Sequence, residues 1–330
     1  MRFRLSDVTP SPDVFAAVMA TGILSVSAEE HGYRFISDAL AGVGIVALVV
    51  LVVLVMMKTA ALQRLPYDVR DPDVTVRLFT FVAACTVLGA RLAPHPVTIW
   101  GLSAVAWLAW LLLVSVTVRS MSPHRWTGLR DRAHGAWELV SVATSGLAIV
   151  TAHLALLLHD RAVFAVGVTM WVLAILIYCM MTWLILWHAA AAPSADIWRP
   201  HSWILMGGLA IATLAGQRLH RVALTLLAQD WLLDGVRSVT VVTWVVATLW
   251  IPPLVYTTLR HLRLTFTGAW WAMVFPLGMY STATFAMRLE TGWRPLQTVS
   301  LVFFWISVAA WLLVAVAACQ RARKAGTRAA

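Results

Sequence analysis

Ten stretches of this sequence are long and apolar enough to cross a lipid bilayer, and little lies between them. A spanning helix needs roughly 20 mostly apolar residues. The stretches run over 12–30, 36–57, 74–92, 96–118, 134–157, 162–188, 201–221, 236–259, 267–289 and 295–319. The longest polar interruption, RSMSPHRWTGLRDRA at 119–133, is too short to fold by itself. The expectation is an all-α polytopic membrane protein with ten transmembrane helices in a single domain, 1–330.

Composition removes the soluble alternatives. The chain is 61% hydrophobic and 12% charged, with a mean hydropathy of +0.81. Soluble domains carry about 25% charged residues. The net charge of +10 does not point to nucleic acid, because the basic residues are scattered through short connections rather than gathered on a domain. No nucleic-acid partner is expected. The polar start MRFRLSDVTPSPD has no separate apolar core with a small-residue cleavage site, so the first helix is expected to act as its own insertion signal. Cys85, Cys179 and Cys319 each fall in an apolar stretch and form no CxxC, so they read as small buried residues.

Lysine and arginine set the orientation. With the N-terminus inside, 17 of the 25 fall on the inner side and 8 on the outer. That bias places both termini in the cytoplasm, as an even helix count requires. The expected location is the cell membrane, with the bilayer as the surrounding partner.

Odd and even stretches differ in chemistry. The even ones are bulky, as in IVALVVLVVLVMM of the second. The odd ones carry small and hydroxylated residues: VMATGILS, VAACTVLGA, VATSGLAI, GGLAIATLAGQ and YSTAT. An aromatic residue opens each odd stretch: Phe15, Phe79, Trp137, Trp203 and Trp271. Their near-regular spacing predicts five helical hairpins. Small residues let helices approach closely, so the odd helices are expected inside around a central pore, with the even helices outside against lipid. The candidate pore-lining residues are Thr21, Gly22, Ser25, Ser141, Ser145, Thr213, Gln217, Gly278, Ser281 and Thr282.

His134, Glu138, Ser141 and Ser145 recur at spacings of four, three and four, which would place them on one helical face. A carboxylate inside a span is costly and faces a cavity or a partner. Glu138 and His134 are therefore the candidates for proton coupling, and the competing reading pairs Glu138 with an arginine of the 119–132 connection. Met206, Ala210, Thr213, Gln217 and His220 share a face of the seventh stretch. Arg91, Arg218, Arg221, Arg237 and Arg288 gather near the outer ends, where positive charge would concentrate anions.

The ten histidines offer no HxxxH or HExxH and no cysteine cluster, so no metal or haem cofactor is expected. Nucleotide-binding and hydrolase motifs of the Walker, Rossmann and GxSxG types are missing, and the chain does not read as an enzyme.

VFAAVMATGILS of the first stretch and WWAMVFPLGMYSTAT of the ninth resemble the tellurite-resistance/dicarboxylate transporter family. That family joins bacterial tellurite-resistance channel homologues, fungal malate permeases and sulfite pumps, and the slow anion channels of plant guard cells. The resemblance covers the whole membrane chain. It implies a symmetric homotrimer with one pore per protomer, small inorganic anions or dicarboxylates as substrates, and no cofactor. It also implies a gate at Phe275, followed by Pro276. The long regulatory tails of the plant channels have no counterpart in the dozen or so residues at either end, so kinase control of that kind is not expected.

The expected function is an anion channel or facilitated anion transporter occluded by Phe275. The alternative is a proton-coupled dicarboxylate or sulfite carrier using Glu138. A membrane redox protein with haem is the rival from another class, and the missing ligand motifs stand against it.

Overall fold

A computed structural model describes residues 11–191, 200–227, 230–260 and 270–329, and the side chains up to Arg321. Residues 1–10, Arg199 and 261–269, which carry part of the positive charge expected on the inner side, lie outside the described residues. Ten long helices form: α1 (Ala16–Glu30), α2 (Arg34–Leu62), α3 (Pro72–Arg91), α4 (Pro96–Met121), α5 (Leu139–Leu158), α6 (Arg161–Ala191), α7 (Trp203–Leu226), α8 (Asp230–Arg260), α9 (Trp271–Thr291) and α10 (Pro295–Ala329). A five-residue helix, Trp126–Arg130, interrupts the connection before α5. The described residues contain no strand.

Seven of the spans are long and apolar enough to cross a membrane: α2, α3, α4, Gly135–Leu158, α6, α8 and Pro295–Arg321. The other three, α1, α7 and α9, fall short by length or composition. α1 has only 15 residues, while α7 and α9 carry glycines, hydroxyls, Gln217 and several arginines.

Those three helices are buried almost throughout. The odd helices touch one another in sequence, α1 to α3, α3 to α5, α5 to α7 and α7 to α9, and α9 returns to α1. Each even helix packs on the odd helix before it. Its far side is bare and apolar, as at Val49 and Val53 of α2, Leu108 and Leu112 of α4, Leu249 of α8 and Leu313 of α10. Two cysteines sit on such faces. Only Cys85 of α3 is buried, while Cys179 of α6 and Cys319 of α10 are exposed, against the expectation of three buried thiols.

The return of α9 to α1 is dense in contacts between residues some 250 or more apart in sequence. Ser27 and Ser281 are 2.8 Å apart, and the Ser281 hydroxyl donates to the Ser300 carbonyl at 2.7 Å. His31 Nε2 lies 2.9 Å from the Ser300 hydroxyl. Tyr33 stacks on Phe304. Glycines set the closest approaches. A Cβ on Gly207 of α7 would meet the ring of Pro276 at 3.0 Å, and one on Gly146 of α5 would collide with Thr86 Oγ1 of α3.

Four tryptophans on even helices donate their indole N–H to the next odd helix. Trp110 reaches Thr144, Trp171 the Ala212 carbonyl, Trp244 Thr284, and Trp311 Thr21. Amphipathic rings fit that place, with an apolar body against the helices and one donor to satisfy.

Candidate functional site

Five helices converge on one cavity of about 30 Å³. Its wall takes Ile23 and Val26 from α1, Thr86 and Ala90 from α3, Gly146, Ile149 and His153 from α5, Ile211, Leu214 and Arg218 from α7, and Met279 from α9. The wall is apolar apart from Thr86, His153 and Arg218. A cavity needs about 10–15 Å³ for one water, so this one has room for about two.

The cavity sits toward the ends of the odd helices that carry their C-termini. There Arg91 lies 3.3 Å from Glu29 and 2.7 Å from Asp38, His220 lies 2.8 Å from Glu290, and Arg218 lies 3.6 Å from Glu30. The expected excess of positive charge is thus partly matched by acids. α1 continues to Glu30, so Glu138 is not the sole carboxylate within a helix of the bundle.

At the opposite end the odd helices begin in a second network. Asp73 of α3 pairs with Arg77, at 2.9 Å, and with His134. The Trp137 indole donates to the same carboxylate at 3.3 Å. His201, in the turn before α7, lies 3.6 Å from Asp13 and faces the His134 ring at 5.9 Å. Since like ends pair at both extremes, the odd helices run parallel.

The structure breaks the stripe expected from His134 to Ser145. Residues Gly135–Glu138 form a 3-10 turn, with three residues per turn rather than 3.6, and α5 begins after it. His134 therefore turns to α3, while Glu138 turns to α6. The Glu138 oxygens accept from Thr182 at 2.7 Å and from Ser141 at 3.0 Å. No arginine of the 119–132 connection reaches it among the described contacts.

Most of the candidate lining residues face neighbouring helices rather than the cavity. Thr21 accepts from Trp311 and donates to the Ala17 carbonyl at 2.8 Å. Ser25 donates to the Ser37 carbonyl of α2 and accepts from Arg91. Thr213 meets Thr243 of α8 at 2.9 Å. Ser141 serves Glu138, and Ser281 serves α1 and α10. Gly22 and Gly278 are contact points, against Val87 of α3 and Ile23 of α1. The reason is physical: among apolar helices a hydroxyl finds its partner in a backbone carbonyl or a tryptophan of the next helix.

Three candidates adjoin the lining residues along their helices. Ser145 and Gln217 directly flank the lining residues Gly146 and Arg218, and Ser145 Oγ and Gln217 Nε2 are buried without a hydrogen-bond partner. Thr282 stands one turn beyond Met279 on the same face of α9. Phe275 is one turn before Met279 on that face and is fully buried. Pro276 next to it packs on Gly207 instead.

His153, Thr86 and Gly146 escaped the sequence reading, and Arg218 was noted only for its charge. The available signal was an ionisable residue late in an odd, small-residue helix. His153 was legible only as a histidine near a helix end.

A sequence profile described as voltage-dependent anion channel matches residues 10–319. Two proteins of Mycobacterium tuberculosis, uncharacterized membrane protein MT1776 of strain CDC 1551 / Oshkosh and Rv1735c of strain ATCC 25618 / H37Rv, are 30% identical over 129 residues. That match spans 37% of this chain and 64% of the length of each relative. With the profile running over nearly the whole sequence, the chain belongs to the voltage-dependent anion channel family.

Proposed function

We propose that the protein is an anion channel or facilitated anion transporter. Its ten long helices cross the cell membrane as five hairpins, with both termini in the cytoplasm, and anions pass along the axis of the odd helices. The carrying observation is the cavity to which all five odd helices contribute, with Arg218 in its wall. Ser145 and Gln217 supply unspent hydrogen-bonding capacity beside it.

Phe275 is the gate in this reading. It shares the axial face of α9 with Met279 and lies just beyond the cavity, where a ring excludes water and leaves by a rotamer change. A space for about two waters suits a small inorganic anion in the closed state; a dicarboxylate would need the gate to move as well. The resemblance to transporters of known fold supports a homotrimer with one path in each protomer.

The test is anion flux into proteoliposomes, with chloride, nitrate, sulfite and malate as probes. Phe275→Ala is expected to raise the flux of small anions at least several-fold. An unchanged flux in a folded variant would remove the gate, and no flux of any anion through wild type would remove the transport reading. Light scattering on the same preparation should give three times the chain mass.

The contacts of Glu138 favour a structural tie over proton coupling, because Thr182 lies on α6 and Ser141 on its own helix. Glu138 is not in the cavity wall.

A further inference from the structure

Glu29, Glu30 and Glu290, at the C-terminal ends of the odd helices, each lie beside a base, but one pair differs from the rest. Arg91 is held by Glu29 and Asp38 and by the hydroxyls of Ser25 and Ser37, in the corner between α1, α2 and α3. His220 Nδ1 lies 2.8 Å from Glu290, between α7 and α9. Arg218 lines the axial cavity, and its acid, Glu30, comes from α1. α1 and α7 are not neighbours in the ring, since α9 lies between them. The pair therefore joins two helices that are not neighbours in the ring, beside α9.

The pairing is loose. Arg218 Nη2 to Glu30 Oε1 is 3.6 Å, longer than a hydrogen bond, and the buried Glu30 Oε2 has no hydrogen-bond partner. Thr282, one turn beyond Met279 on the intervening α9, donates to the Gly278 carbonyl at 3.3 Å. Among the described residues the cavity wall holds no acid beside Arg218. The other ionisable group in the wall is His153, whose Nδ1 donates to the Ile149 carbonyl at 2.9 Å.

We propose that Arg218 is the anion-binding residue of the cavity and that Glu30 is a tethered anion competing for it. In the closed state the Glu30 carboxylate balances the guanidinium. An anion reaching the cavity takes over that balance and releases Glu30, with the free Oε2 leaving the carboxylate able to turn. A fixed cation beside an apolar wall would otherwise bind an anion too tightly to let it leave, and a competing carboxylate keeps the site weak enough for passage. This inference rests on the anion-transport reading and names the residue at which it acts.

The test uses the full chain, purified in detergent, with sodium nitrate as the probe. Half-saturation is read from the rise of the thermal unfolding midpoint with nitrate concentration. Glu30→Gln, which keeps the shape and removes the charge, should lower the half-saturating concentration several-fold. Arg218→Gln should raise it roughly tenfold or more, equivalent to at least about 1.4 kcal/mol, while Arg218→Lys should keep most of the binding. In the Arg218→Gln background, Glu30→Gln should have no further effect, because the two act through one another. Unchanged half-saturation in either single variant, or an effect of Glu30→Gln that persists without Arg218, would overturn the proposal. Flux through wild-type proteoliposomes judges the transport reading separately. Flux with unaltered variant binding sinks the site alone, and altered binding without flux sinks the transport reading alone.

Discussion

Glu138 shows how one residue reads differently once its neighbours are known. As a lone carboxylate in an apolar stretch it asked for a partner or a role. Its partners are two hydroxyls, one supplied four residues past Tyr178 on α6. Replacing it by glutamine keeps one acceptor and turns an N–H₂ toward a hydroxyl. Glu138→Gln is expected to destabilise the protein by about 1–3 kcal/mol, the cost of leaving a buried polar group mismatched, and to leave the pH profile of transport as in wild type. A flattened pH profile in the flux assay would restore Glu138 as a proton carrier. The sequence could not show this because the helical period was extended through Gly135–Glu138, where the chain makes a 3-10 turn. One altered turn sends His134 and Glu138 to opposite neighbours.

At the scale of helices, the alternation of small and bulky stretches was legible, and it carries the inner and outer positions. Burial follows it closely: α7 hides Gly207, Gly208 and Gly216 while α2 leaves Val46, Val49 and Val50 bare. What was not legible is which way each hydroxyl points. Period and chemistry place Thr21 and Thr213 on inner helices, but nothing in them marks their partners, Trp311 of α10, which donates to Thr21, and Thr243 of α8 beside Thr213. The approach of α7 to α9 rests on Gly207. An added Cβ would meet Pro276 at its Cγ, Cβ and Cα, at 3.0, 3.1 and 3.3 Å. A proline ring in a helix cannot swing aside, so Gly207→Ala should cost about 1–3 kcal/mol by overpacking, seen as a lower thermal midpoint. A midpoint equal to wild type would mean that the two helices separate easily there.

For the molecule as a whole, the seam between the first and last hairpins closes the ring. His31 stands in it, with Ser300 on one side and the rings of Phe285 and Phe304 beside it. It lies in the turn between α1 and α2, and burial pushes its imidazole below the ordinary 6.5. A histidine with a depressed folded pKa favours the fold while neutral. Its contribution is full above the unfolded pKa and is lost as the pH falls below about 6.5. Wild-type stability should therefore decline from about pH 7.5 to about pH 5.5 more than that of His31→Gln, which keeps a polar contact with Ser300 but does not titrate. Equal declines in thermal unfolding would show that the seam is indifferent to this residue. That a ring closes at all was implied by the fivefold repeat and the family resemblance. The seam was out of reach, since Ser27, Ser281 and Ser300 carry no mark in the sequence that they meet.

The parallel course of the five odd helices has an electrical consequence. Each helix carries a macrodipole equal to roughly half a positive charge at its N-terminus and half a negative charge at its C-terminus. Five of them side by side make one mouth of the axis positive and the other negative before any side chain is counted. The even helices run the other way but stand a layer further out, so they cancel this field only in part. An anion at the N-terminal mouth is drawn in by backbone alone. At the other mouth it faces five sets of carbonyl oxygens, and that is where Arg91 and Arg218 are found. Along the proposed anion path the backbone field has a direction, and the two arginines stand where the backbone is least hospitable to a negative ion.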